Sequence, residues 1–239
     1  MRINILIFTA LLKIWVLSIL RMKARSFMKL KKKKFGLAAL ILMSLSGSIH
    51  AETPLTNSTV INGDTTINVD TGANSGINLS GNKEISLAAS ASDAAVTIKV
   101  NGQKSVGDVR YGIRISNGAK INLSDLNIIS EDKTGDVNGI YASASEININ
   151  NLNVDVNGNS IYGVNIYNGS QMNVAGNMMI AVKGDTVPSS GIRGVTVNSA
   201  SGVLNVQGDL IIKAESDQRG YGIYNTSGGK LNVAQNTYI

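Results

Sequence analysis

Cysteine is absent from this chain of 239 residues, which has only two prolines and one histidine. The histidine, His50, lies within the first 51 residues, as do the one tryptophan and all three phenylalanines. Residues 52–239 therefore contain no Cys, His, Trp or Phe, and seven tyrosines are their only aromatic residues. These absences exclude disulfides, cysteine nucleophiles, Ser-His-Asp triads and thiolate or imidazole metal sites from that part of the chain.

Acidic residues are missing from the first 51 residues, which hold ten of the 22 Lys and Arg residues. The other twelve stand against all 16 acidic residues in residues 52–239. The net charge of +6 is thus +10 in the first part and −4 in the second. A second part of negative net charge predicts no nucleic-acid partner, and its 188 residues suffice for one well-buried domain.

Residues 28–51 have the layout of a secretory signal peptide. Lys29 and residues 31–34 are basic, residues 35–45 are apolar, and small and polar residues lead to Ala51. A bilayer-spanning helix needs about twenty apolar residues, which is more than this run offers. The sequence therefore predicts a helical signal peptide that the export machinery recognises and that is cleaved between Ala51 and Glu52. The alternative is a membrane anchor.

Residues 1–27 add a second apolar stretch and a second basic cluster before this signal peptide. Two export segments in a row would be redundant. We interpret residues 1–27 as an upstream extension, with translation starting at Met22 or Met28, whereas an extended signal peptide or a true anchor is the alternative.

Residues 52–239 repeat. A glycine followed by Ile or Val recurs at spacings of 27, 24, 31 and 28 residues, and an apolar-Asn-apolar triplet follows each glycine within nine to eleven residues. The anchor glycines are Gly112, Gly139, Gly163, Gly194 and Gly222. The central asparagines of the triplets are Asn122, Asn148, Asn173, Asn205 and Asn232. An earlier segment from Gly76 aligns with the one from Gly112 without a gap. A period of this length is typical of solenoids.

Within each repeat, apolar residues alternate with polar ones in three short runs, as half-buried strands require. Sustained helical periodicity is missing after residue 51. The sequence predicts an all-β fold, a right-handed parallel β-helix with irregular turns of roughly 24–31 residues and about seven turns in all. Asn-Gly pairs at Asn117, Asn157 and Asn168 predict corners between its strands.

The five triplet asparagines lie between inward-facing residues, so alternation points them outward as one row. We interpret this row as a solvated or hydrogen-bonded structural stripe, with glycan recognition as the alternative. Five tyrosines flank the anchor glycines, and either packing on the outer wall or a sugar-stacking platform would explain them. They are Tyr141, Tyr162, Tyr167, Tyr221 and Tyr224.

The basic signal peptide and the Gly-, Asn- and Ser-rich repeats that begin at Tyr162 and Tyr221 resemble the N-terminal part of an autotransporter passenger. The resemblance covers residues 28–239. It implies a β-helical segment of a Gram-negative surface protein, often an adhesin, that is exported to the periplasm, the cell surface or the medium. Such passengers precede a C-terminal outer-membrane β-barrel, which this chain does not include. The resemblance implies a stalk or adhesin whose partner is a host-surface glycan or protein.

Catalytic chemistry has little support in the sequence. The densest acidic group is Glu131, Asp132 and Asp136, for which a solvated loop is the simplest interpretation and a carboxylate pair or Ca²⁺ site the alternative. We predict no enzyme and no cofactor. The competing hypothesis is a secreted β-helical carbohydrate-active enzyme, a polysaccharide lyase or hydrolase.

The last repeat stops part-way through its third strand, at Ile239. An open last turn exposes a backbone edge and an apolar bore. We therefore expect an incomplete gene product that self-associates through this uncapped end.

Overall fold

The computed structural model describes residues 49–51, 54–69, 73–101, 109–130, 135–184, 191–217 and 219–239. The predicted signal helix and the residues before it lie outside these ranges, except that Ile49–Ala51 form a strand. In chain order the first strands are β1 (Ile49–Ala51), β2 (Thr59–Ile61), β3 (Thr65–Val69), β4 (Ser75–Ser80), β5 (Glu84–Leu87), β6 (Ala95–Val100), β7 (Val109–Ser116), β8 (Lys120–Ile129), β9 (Asp136–Ser143) and β10 (Glu146–Gly158). They are followed by β11 (Ile161–Tyr167), β12 (Gln171–Val174), β13 (Met178–Gly184), β14 (Ile192–Val197), β15 (Val203–Val206), β16 (Leu210–Ser216), β17 (Gly220–Asn225), β18 (Lys230–Val233) and β19 (Thr237–Tyr238).

These strands form a parallel β-solenoid, which confirms the predicted fold. Each turn, here called a rung, has a first, a second and a third strand segment. The first segments of rungs 1 to 6 are β4, β7, β9, β11, β14 and β17, which build one parallel sheet. The second and third segments build the other sheet, because β8 and β10 each run through both positions. The one helical element of the described residues is a 3₁₀ turn at Ala89–Ala91.

The number of rungs is smaller than predicted. The described residues form five complete rungs and a sixth whose third strand is only Thr237–Tyr238, whereas the sequence predicted about seven. Before β4 the chain supplies β2 and β3, but a single bridged residue, Leu55, takes the place of a first strand. β1 pairs with β3 beyond this incomplete rung.

The bore of the solenoid is filled by stacked aliphatic side chains. One column in the first sheet consists of Ile77, Ile113, Ile140, Val164 and Val195, all fully buried. A facing column on the third strands consists of Ile98, Ile128, Val154, Ile180 and Ile212. β-Branched side chains suit this place, since they pack well on a pleated surface and each buried one contributes about 1.5–3 kcal/mol.

The anchor glycines also form a column, because the side chains that fill the bore leave no room for a Cβ at these positions. In β11 both Gly163 and Val164 are buried, so strict alternation is broken and the strand bends inward at the glycine. A Cβ on Gly163 would stand 2.5 Å from Cγ2 of Ile180 and 2.6 Å from the carbonyl oxygen of Gly194. Gly112, Gly139 and Gly194 have corresponding neighbours in their own rungs and in the next rung, whereas a Cβ on Gly222 would meet only Ile239. Only glycine leaves room for the third-strand side chain.

The positions and backbone conformations of the corners depend more on the stacking of rungs than on the local sequence. Asn117 and Asn168 adopt positive φ at the corner after the first strand, as their Asn-Gly pairs predicted. Ala144 has φ 50° at the corresponding corner of rung 3, although alanine disfavours that conformation. The corner predicted at Asn157 is wrong, because Asn157 and Gly158 are the last residues of β10 and pair with Lys183 and Gly184.

Replacing Gly163 by Ala tests the glycine column. The new methyl must displace Ile180 or the next rung, so we expect the free energy of unfolding to fall by about 1–3 kcal/mol. Thermal unfolding followed by far-UV circular dichroism measures the change. The matched control is Gly63→Ala, since a Cβ on Gly63 meets nothing within 4 Å. The control should be neutral or stabilising by about 0.4–1 kcal/mol. Equal losses in both variants would contradict the steric explanation.

Candidate functional site

The five triplet asparagines lie on top of one another on the outer face of the second strands. Their registers are Asn122 with Asn148, Asn148 with Asn173, Asn173 with Asn205 and Asn205 with Asn232. Each Nδ2 donates to the Oδ1 of the preceding asparagine at 2.8 Å. The structure therefore brings all five into one hydrogen-bonded amide ladder, and its members are half-buried except at the exposed end, Asn232.

The other end of the ladder is held by charged residues. Asn122 donates to Glu84 at 2.8 Å, and Asn148 donates a further bond to Glu146 at 3.1 Å. Lys120 forms an ion pair with Glu146 at 2.8 Å. The hydrogen bond from Lys120, followed by the one from Asn148, holds the pKa of Glu146 below its ordinary value, and the same ion pair raises the pKa of Lys120. Both side chains are solvent-exposed, so this pair contributes little stability.

The interior amides of the ladder form hydrogen bonds with one another. Asn148, Asn173 and Asn205 each use the carbonyl oxygen and one N–H on neighbouring rungs. A shallow groove of about 560 Å³ lies beside them and is lined also by Ala88, Ser92 and Gln207. The arrangement supports a structural role, because chains of hydrogen bonds strengthen one another.

A second polar column, which sequence reasoning missed, occupies the corner between second and third strands. Asn151 donates to Asp125 at 2.9 Å, and the backbone amide of Asn177 donates to Asn151 at 3.1 Å. The backbone amide of Asp209 donates to Asn177 at 2.9 Å, and Asn236 donates to Asp209 at 3.0 Å. A sequence signal existed, since an Asp or Asn precedes the first apolar residue of the third segment in rungs 2 to 5 and precedes Thr237 in rung 6.

The inward bend at each anchor glycine turns two side chains outward on either side of it. They are the residue before the glycine and the second residue after it, and together they form what we call the Tyr–Arg seam. Its first row is Tyr111, Asn138, Tyr162, Arg193 and Tyr221. Its second row is Arg114, Tyr141, Asn165, Thr196 and Tyr224.

Side chains of the two rows meet across the glycine column. The rings of Tyr111 and Tyr141 are edge-to-face with centroids 5.9 Å apart, and those of Tyr221 and Tyr224 are 5.3 Å apart. The guanidinium of Arg193 lies 4.1 Å from the ring centre of Tyr224. These contacts form two aromatic and cationic clusters, one in rungs 2 and 3 and one in rungs 4 to 6.

Arg193 is the most constrained side chain of the seam. Besides its contact with Tyr224, its guanidinium lies 5.0 Å from the ring centre of Tyr162 and donates to the Tyr162 hydroxyl at 3.0 Å. Arg114 lies 5.4 Å from the ring centre of Tyr111. Burial raises the pKa of the Tyr111 hydroxyl, while the charge of Arg114 acts in the opposite direction. Tyr111 is therefore a neutral phenol at physiological pH.

Several polar atoms of the seam are buried without a partner among the described residues. They belong to Asn138, Asn165, Arg193 and Thr196. Asn138 is 7% exposed and Thr196 is fully buried. A buried donor or acceptor without a hydrogen bond destabilises the folded state by about 1–3 kcal/mol, so such groups are rare in native proteins.

The five tyrosines that the sequence places beside the anchor glycines do not all belong to the seam. Tyr162 and Tyr221 lie in the first row and Tyr141 and Tyr224 in the second, whereas Tyr167 stands two residues beyond the second-row position of its rung, outside the seam. Sequence reasoning missed Tyr111 and both arginines. They could have been found by aligning the positions immediately before and two after each anchor glycine.

The remaining predicted residues are dispersed. Asp136 begins β9, whereas Glu131 and Asp132 lie outside the described residues. Ala51 ends β1, and Glu52 lies outside the described residues. Within the described ranges no group of three or more His, Cys, Asp or Glu is placed to hold a metal ion. The same ranges contain no helix of the length and hydropathy that a membrane span needs.

Comparison with known protein families, curated proteins and solved structures finds no match to this chain.

Replacing Asn173 by Ala tests the ladder. The variant loses the bonds to Asn148 and from Asn205, and one hydrogen bond contributes about 0.5–1.5 kcal/mol. We expect the free energy of unfolding in urea to fall by about 1–2 kcal/mol. Asn232→Ala, which removes one exposed bond, is the matched control and should lose about half as much or less. Losses of the same size would contradict an interior ladder that stabilises the stack.

Proposed function

We propose that this chain is a non-enzymatic, exported β-solenoid segment, similar to an autotransporter passenger, that acts as a stalk or adhesin. The observation that carries the proposal is the in-register stacking of six rungs through continuous columns of Gly, Asn and aliphatic residues. Such a stack positions outward side chains at a fixed rise of about 4.8 Å per rung. An extended surface of this kind suits the binding of a partner better than catalysis at a single active site.

Export of the chain is supported by its first 51 residues. The basic run, the apolar run and the small residues before Glu52 suit passage through the inner membrane to the periplasm, the cell surface or the medium. The net charge of −4 in residues 52–239 suits a partner other than nucleic acid, such as a host-surface glycan or protein.

Processing of the N-terminus tests the export part of this proposal. We expect the protein recovered from the periplasm or medium of a Gram-negative host to begin at Glu52 and hence to lack β1. Intact-mass and N-terminal sequence analysis measure this. A control variant with Lys29 and residues 31–34 changed to Gln should remain unprocessed in the cytoplasm. Exported protein that retains residues 1–27 would instead support a membrane anchor.

The non-enzymatic part is tested on the same protein. Incubation with pectin and alginate should leave both polymers unchanged, as followed by reducing ends and by the absorbance of unsaturated products. Turnover that survives removal of contaminating enzymes would replace the proposal with a β-helical polysaccharide lyase or hydrolase.

We further propose that the chain self-associates through its last rung. β17, β18 and β19 pair with rung 5 on one side, and Tyr238 and Ile239 are 55% and 75% exposed. Such strand edges are templates for further pairing. We expect sedimentation velocity to show a weight-average mass that rises as the protein concentration increases from about one to several tens of micromolar. This range covers dissociation constants on the order of those of weak complexes. A monomer across that range would contradict association through this end.

A further inference from the structure

The Tyr–Arg seam carries positive charge that no carboxylate of the described residues neutralises. Its ten positions include two arginines and no Asp or Glu. Within the described residues, neither Arg114 nor Arg193 forms an ion pair with a carboxylate. Arg193 is nevertheless held in place by two rings and a hydroxyl. A guanidinium fixed in this way is preorganised to receive an anion.

The seam also holds buried polar atoms that have no hydrogen-bond partner among the described residues. Asn138 lies in register between Tyr111 and Tyr162, and Thr196 lies between Asn165 and Tyr224. Oδ1 of Asn138 and Oγ1 of Thr196 are buried and lack a partner among the described residues. A ligand that carries hydroxyl groups, or waters that it organises, would satisfy them.

The other outer face differs in this respect. In the amide ladder the interior asparagines bond to each other along the axis, so a ligand there would compete with bonds already made. The tyrosine rings of the seam offer instead amphipathic faces, which stack well on the apolar faces of sugar rings. Of the two surfaces, the seam has the unmet bonding capacity.

We infer that the Tyr–Arg seam binds an acidic oligosaccharide along the solenoid axis, with sugar rings on the tyrosines and carboxylates on Arg193 and Arg114. This inference deepens the adhesin part of the proposed function and rests on it. The rise of about 4.8 Å between rungs is comparable with the length of one pyranose residue. A peptide fits less well, because the strands of rungs 2 to 5 are paired on both sides and offer no open edge to extend.

The experiment is a calorimetric titration of the full chain with oligogalacturonate, with neutral dextran oligosaccharides and with poly-glutamate. We expect saturable binding of oligogalacturonate alone. Arg193→Gln and Tyr224→Ala should each weaken it at least about tenfold, as loss of a charged hydrogen bond or of a stacked ring implies. Lys213→Gln and Tyr167→Ala remove a positive charge and a tyrosine ring outside the seam and should leave the affinity unchanged.

Thr196→Val separates binding from folding. The change is nearly isosteric and removes a buried hydroxyl without a partner, so the melting temperature should stay the same or rise while the affinity falls. Unchanged affinity in this variant, if Arg193→Gln also binds normally, would overturn the seam as the site. Equal binding of poly-glutamate would overturn the glycan class. Equal losses of affinity in Lys213→Gln and Tyr167→Ala would show that binding does not depend on the seam.

The two proposals can fail separately. Titration uses purified protein and needs no export, whereas N-terminal processing needs no ligand. Absent binding in a correctly processed protein overturns the seam inference and leaves the stalk, while binding by a protein that is never exported overturns the export proposal.

Discussion

Parallel, in-register hydrogen bonding between rungs is the constraint on which this structure depends. Every residue of a strand stands on its counterpart one rung earlier, at about 4.8 Å, so whatever occupies a position must be compatible with its own repetition. Aliphatic side chains meet that condition in the bore, and Asn meets it on the surface because its amide both donates and accepts. The column from Ile98 to Ile212 packs against itself in the bore, and the column from Asn122 to Asn232 forms hydrogen bonds with itself on the surface.

The glycine column connects the interior to the outer surface. A third-strand residue such as Ile180 fills the bore up to the backbone at Gly163, which excludes a Cβ there. The strand therefore bends, two successive residues face inward, and the residues on either side turn to the same outer surface. The aromatic contacts between Tyr111 and Tyr141 and between Tyr221 and Tyr224 are consequences of that bend. Packing inside the bore thus determines which residues can meet outside it.

Sequence reasoning reached the fold because its signals are periodic. Alternation of apolar residues and the spacing of anchor glycines both survive in the structure, and so does the stacking of Asn122 on Asn148. It failed where a local signal competed with stacking. The Asn157-Gly158 pair favours a corner in isolation, but the pairing of Gly158 with Gly184 extends β10 through it. Conversely, Ala144 has no turn signal and still adopts positive φ, because Asn117 and Asn168 flank it in the corners of the neighbouring rungs.

The seam was only partly predicted, for a related physical reason: four of its tyrosines were noted beside the anchor glycines, whereas Tyr111, Arg114 and Arg193 were missed. A column of identical amides satisfies itself, and its regularity makes it visible in the sequence. The seam is irregular: its first row reads Tyr, Asn, Tyr, Arg and Tyr, so no residue can repeat the contact that its neighbour makes. Arg193 contacts Tyr162 in its own row and Tyr224 across the glycine column, whereas Oδ1 of Asn138 and Oγ1 of Thr196 have no partner among the described residues. In a solenoid, stacking requires only that a column be compatible with itself. The seam does not repeat itself from rung to rung, whereas the columns beside it do, so stacking alone does not explain its residues. Its unsatisfied polar atoms are therefore available to a ligand.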